Sequence, residues 1–177
     1  LLMERDLHPY EMKQTMDFRQ MNHFIKLQKG SLYYAVDQLF KDGYIEVVDV
    51  IKDTNRPDRT IYRITASGKD YFQKLIVDQL SVKTHIFHPL FTGLAFALHG
   101  DQKQVAALLE DRLEEKEIRL QELELIFHQY KQQIPVAIIH LIKGAILMTE
   151  AEVKWLHDLI NDAKQGKLKQ IGDPDAN

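Results

Sequence analysis

Residues 28–68 constrain the fold more than any other stretch of this chain. From Gln28 to Leu39, apolar side chains at Leu32, Ala35, Val36 and Leu39 follow the i, i+3, i+4, i+7 spacing of a helix that buries one face. Lys41-Asp42-Gly43 ends it, with glycine where a helix stop favours a left-handed residue. Tyr44 to Ile51 follows, with the β-branched Val47, Val48, Val50 and Ile51 that strands prefer. Lys52 to Arg59 reads as a charged loop in which Arg56-Pro57-Asp58 supplies turn chemistry, and Thr60 to Ile64 reads as the returning strand. Thr65 suits the N-cap of a helix running from Ala66 to about Val82.

Helix, strand, basic loop, strand, helix is the order of a winged helix-turn-helix, a fold that lays one helix in the DNA major groove and a hairpin on the neighbouring backbone. Upstream, Pro9 suits the first turn of a helix through Met16, with Tyr10, Met12 and Met16 as inward candidates, and Phe18 to Leu27 reads as a connector. Leu1-Leu2-Met3-Glu4-Arg5 reads as the end of an apolar helix, so a first helix is expected to begin upstream.

Beyond a boundary at Ser81–Pro89 the pattern is helical. Pro89 opens a short apolar helix, His99-Gly100-Asp101 breaks it, and Asp101 to about Gln132 reads as one long helix. Two seven-residue series run along it, 106-113-120-127 and 109-116-123-130, apolar except at Lys116: a coiled-coil seam. Leu109, Leu113, Leu120, Leu123, Phe127 and Tyr130 on that seam are the expected dimerisation residues. Pro135 starts a last helix. The fold class is therefore mostly α with a small β-hairpin: a winged helix-turn-helix over 1–83, a helical dimerisation region with a coiled-coil-like helix over 84–165, and a flexible tail over 166–177.

Composition adds exclusions. There is no cysteine, hence no disulfide or thiolate metal site, which fits a cytoplasmic protein. No apolar run reaches the roughly 18–20 residues of a membrane span, and no secretory signal is visible. No phosphate loop, serine elbow or HExxH pattern appears, so no enzymatic activity, cofactor or metal is expected. Histidines at 85, 88 and 99 lack the matched carboxylates of a bundled metal site. The net charge of −3 is unevenly spread: residues 1–83 hold 13 Lys+Arg against 12 Asp+Glu, and the remainder 10 against 14. Bulk charge thus gives DNA binding little support, and local clustering in the wing must supply it.

The succession Pro9-Tyr10-Glu11, Gly30-Ser31-Leu32-Tyr33, Leu39-Phe40-Lys41-Asp42-Gly43-Tyr44-Ile45 and Tyr62-Arg63-Ile64-Thr65-Ala66-Ser67-Gly68 resembles the PadR-like transcriptional regulators over about the first 80 residues. The resemblance implies a bacterial repressor that binds an inverted-repeat operator as a homodimer through C-terminal helices and is released by a small-molecule effector. Two features depart from the family pattern: the shortened first helix, and Pro9 where glycine is more common.

The expected DNA-binding residues are Gln28, Lys29, Gly30, Ser31, Tyr33 and Tyr34 at the start of the recognition helix, Lys52, Arg56 and Arg59 on the wing, and Tyr10 and Lys13 on the preceding helix. Groove-reading side chains come from the N-terminal part of such a helix. Gly30 permits close approach, Ser31 caps or meets a phosphate, and of the adjacent Tyr33 and Tyr34 one is expected to be buried. Arg63 has an alternative use, pairing with Glu46 or Asp49. Trp155 and Phe91 are expected to line an effector pocket, with plain packing as the competing role. A protein-interaction module on the same scaffold, without specific DNA binding, is the alternative function.

Overall fold

The computed structural model describes residues 1–24, 29–53, 56–83 and 87–172, without the side chains of 29, 53 and 56–58. It divides into two compact units, Leu1–Thr84 and His85–Asn177.

In the first unit, α1 (Pro9–Phe18) is fixed at its start by a capping box. His8 Nδ1 accepts from Tyr10 N at 3.1 Å, and Glu11 Oε2 accepts from His8 N at 3.0 Å. Helix α2 (Lys29–Lys41) ends in a Schellman turn. Tyr44 N donates to Leu39 O at 2.9 Å and Gly43 N to Phe40 O at 3.0 Å, with Gly43 at φ +73°. Strands β1 (Ile45–Asp53) and β2 (Arg56–Ile64) form an antiparallel hairpin with register breaks at Val47/Asp49 and Ile51/Asp53. The core joins Leu7, Met12, Val36 and Ile45, with Leu1, Leu2, Leu32, Leu39 and Tyr62 packed on it.

Helix α3 (Ala66–Ser81) is capped as expected: Thr65 Oγ1 accepts from Gly68 N at 3.1 Å. Gly68 sits hard against the end of α2, since a Cβ there would lie 2.0 Å from Tyr44 O. The face of α3 expected to be buried remains largely open in this unit: Phe72, Leu75, Ile76 and Leu80 are exposed, while Tyr71 stacks on Tyr44 at 4.1 Å.

The wing departs from expectation. Lys52 to Arg59 is mostly strand, with Ile51 paired to Arg59 and Asp53 to Arg56. Pro57 therefore lies in β2 at a register break, where a two-stranded sheet tolerates its missing N–H. Local turn chemistry gives way here to cross-strand pairing, which sequence spacing does not encode.

In the second unit, α4 (Pro89–Phe96) leads through a 3-10 turn to α5 (Gln102–Tyr130), capped by Asp101, whose carboxylate accepts from Lys103 N at 2.9 Å and Gln104 N at 3.0 Å. Those two backbone bonds, that from Gln104 foremost, hold the Asp101 carboxyl below its ordinary range. Helix α6 (Val136–Lys164) folds back along α5, and the two long helices make an antiparallel hairpin. The seam closes inside the chain. Leu109, with Leu113 beside it, packs on Leu156 and Ile160, and Leu123 is fully buried. Leu109 and Leu123 are therefore not surface available to a second copy, because α6 already covers them. Leu113, Leu120, Phe127 and Tyr130 are half-buried. Past α6, Gly166 turns into a 3-10 segment, Lys167–Lys169, within the stretch expected to be a flexible tail. Among the described residues no helix is long and apolar enough to cross a membrane.

Candidate nucleic-acid interface

On α2 the core is met by Leu32, Val36 and Leu39. At about 100° per residue, Gly30, Tyr34, Asp37 and Lys41 fall within about 50° of the opposite pole, with Tyr33 on one flank. Tyr33 and Tyr34 are 50% and 67% exposed, so neither is buried, contrary to expectation. The reason is angular: the core stripe is narrow and both tyrosines lie outside it. Ala35 is exposed for the same reason. Gly30 is exposed and a Cβ there would meet nothing within 4 Å, so packing in the chain does not require a glycine. Ser31 is exposed at the same end. Gln28 lies outside the described residues, and Lys29 is placed only as the first residue of α2. Lys41 Nζ donates to Asp37 Oδ2 at 2.6 Å, and that hydrogen bond raises the lysine's pKa.

Lys52 and Arg59 are exposed on β1 and β2; Arg56 starts β2, its side chain outside the description. Arg63 is taken up in an ion pair within the unit. It grips Asp6 with Nε at 3.0 Å and Nη2 close by, not Glu46 or Asp49. That hydrogen bond raises the Arg63 pKa and lowers that of Asp6. The pair ties β2 to the segment before α1, where Leu7 also bridges to Tyr62 through two backbone bonds of 3.1 Å. On α1, Tyr10 is 55% exposed rather than inward, and Lys13 is half-buried with its Nζ bonded to Asp17 Oδ2 at 3.2 Å. Tyr10, the outer face of α2 and the wing are thus exposed surface of one unit.

The second unit holds a polar centre that sequence reasoning missed. Glu152 Oε1 meets His88 Nε2 at 3.1 Å and Arg112 Nη2 at 3.0 Å, and Oε2 meets Lys116 Nζ at 2.7 Å. Burial alone would push this carboxyl up, but hydrogen bonds from Lys116 and Arg112, the Lys116 charge and the His88 bond outweigh it and hold it below its ordinary value. The available signal was Lys116 itself, the one polar residue on an apolar seam. His88 also caps α4, Nδ1 accepting from Leu90 N at 3.3 Å.

Trp155 and Phe91 are brought together, ring centroids 6.0 Å apart, and Trp155 also meets His88 edge-on at 5.0 Å. Neither lines the open groove of about 360 Å³ along α5, which Arg112, Glu115, Lys116, Ile118, Arg119 and Glu122 border. Among the described residues no group of three or more His, Asp or Glu is placed to hold a metal; His85 falls outside them.

A family model described as the transcriptional regulator PadR-like family matches residues 1–74. An uncharacterised protein of Lysinibacillus sphaericus is 32% identical over 84 residues, 47% of this chain and 74% of that protein. Bacillus subtilis PadR in complex with operator DNA superposes with a TM-score of 0.75 at 14% identity, covering 92% of this chain and 94% of that one. The same protein in complex with p-coumaric acid gives 0.71 at 15% identity over 92% and 94%. A PadR-like transcriptional regulator from Bacillus cereus gives 0.72 at 21% over 93% of each. At these identities the solved structures establish the shared fold.

Proposed function

Because this chain belongs to the PadR-like family of transcriptional regulators, we propose that it is a homodimeric repressor that binds an inverted-repeat operator and lets go when a small ligand binds. The observation that carries the reading is the outer face of α2. Gly30, Tyr33 and Tyr34 stand exposed at the end of the helix that a winged fold inserts into the major groove, and none serves the core. Lys52 and Arg59 on the wing, with Arg56, would meet phosphate, and Tyr10 and Lys13 would meet the backbone beside the groove. Affinity then rests mainly on phosphate contacts and specificity on a few side chains of α2.

Dimerisation is assigned to the α5–α6 hairpin. Leu113, Leu120, Phe127 and Tyr130 border it half-buried, and Leu108, Leu125, Leu147 and Met148 leave apolar surface outward. For the effector, Trp155 and Phe91 offer aromatic surface beside His88. The p-coumaric acid bound by Bacillus subtilis PadR supports a small aromatic acid as the class to try first. Moving the operator from nearly full to nearly empty requires a preference of about 5.5 kcal/mol for one dimer state.

The test is selection of duplexes from a random library followed by affinity against salt. A two-fold-symmetric winner and a steep slope are expected, with Lys52→Ala or Arg59→Ala each flattening the slope by about one. Failure to enrich any duplex would overturn the reading in favour of a winged scaffold that binds protein.

A further inference from the structure

Lys41 and Asp37 are the charged side chains described on α2, and they sit near the pole facing away from the core, in line with Gly30 and Tyr34. Their side chains are 60% and 55% exposed. From Tyr34 to Lys41 the helix rises about 10 Å, close to three base-pair steps of about 3.4 Å.

A carboxylate in this place has a definite chemistry. Facing phosphates it repels, so it adds nothing to general affinity. Facing base edges it can only accept, and in the major groove the exocyclic amine of cytosine is a donor to match. Lys41 holds Asp37 through Oδ2 at 2.6 Å. Since a carboxylate has about four lone-pair sites, the bond orients the group and leaves acceptor capacity over. The same lysine reduces the repulsion that a bare carboxylate would meet beside DNA.

We infer that Asp37, oriented by Lys41, is a base-reading residue that selects cytosine at one position of each half-site. The inference rests on the DNA-binding reading and adds a specificity determinant to the α2 residues named there.

The experiment repeats the library selection side by side on the wild-type chain, Asp37→Asn and Lys41→Gln, with helical content checked by circular dichroism. In the wild type, one position per half-site should be cytosine. Asn pairs bidentately with adenine, so D37N should replace that letter by adenine and bind the wild-type site about tenfold more weakly. K41Q should keep cytosine as the favoured letter with a narrower margin over the other bases, and weaken binding to all sequences. If D37N selects the wild-type site unchanged, or if D37N and K41Q lose affinity equally for every sequence, Asp37 is merely half of a helix-surface pair and the inference falls while the DNA reading stands. If the wild type enriches nothing, the DNA reading falls and takes the inference with it.

Discussion

Two glycines show how one residue type serves opposite ends. At Gly68 the backbone of α3 crosses so near Tyr44 O that a methyl group would overlap it at 2.0 Å. Gly68→Ala must push α3 off the α2 terminus, and overpacking of this kind costs about 1–3 kcal/mol; chemical denaturation should show that loss in the first unit. At Gly30 the space is open. Gly30→Ala should leave that unit as stable or more so, by up to about 0.5–1 kcal/mol, yet, on the proposed DNA reading, weaken operator binding, because the added methyl would stand between α2 and the groove. A variant that lost stability, or that bound as before, would remove Gly30 from the interface. Residue-scale features of this type were partly legible in the chain. Thr65 and Asp101 announce their caps by type and position, and Pro9 and Pro89 their helix starts. Tyr33 and Tyr34 were harder, because adjacency tells that two side chains diverge but not where the edge of the core falls.

Among elements, α4, α5 and α6 meet at one carboxylate. Glu152 takes donors from His88, Arg112 and Lys116 with only 15% of its side chain exposed. Its pKa is depressed on folding, so the stability it contributes is fully present above the ordinary value of 4.5 and is lost as pH falls through the lower folded value. Glu152→Gln should cost about 1–3 kcal/mol at neutral pH. It should also flatten the acid limb of a melting-temperature profile below pH 4.5, where the wild type declines. An unchanged acid limb would show that the carboxylate titrates alike in both states. This centre joins residues distant in sequence, and no local rule reaches so far. The same holds for Arg63 and Asp6, and for the length of the wing, which the pairing of Asp53 with Arg56 sets. Helix periods were legible; what each helix faces was legible only in part, and the seam on α5 shows why. A seven-residue repeat states that a helix wants a neighbour but not whether that neighbour is the same chain, and here α6 supplies it.

For the molecule as a whole, the surface left over decides assembly. Leu147 and Met148 on α6 are 64% and 63% exposed, and Leu125 on α5 is 69% exposed. Leu147→Glu with Met148→Glu leaves the buried residues of the hairpin in place and charges its outer side. On the proposed dimer, sedimentation equilibrium should report dimer for the wild type and monomer for the double variant, and operator affinity should fall by at least tenfold as the two half-sites are engaged separately. A double variant that still sediments as a dimer would put the contact elsewhere.

The length of that hairpin has a mechanical consequence. Each arm has 29 residues, and a helix so long is a rod of about 43 Å. With one end of such a rod held fixed, a tilt of about 5° carries the other end through nearly 4 Å. The rod is in that sense a lever arm: a rotation too small to disturb the packing at one end becomes a displacement of several ångströms at the other.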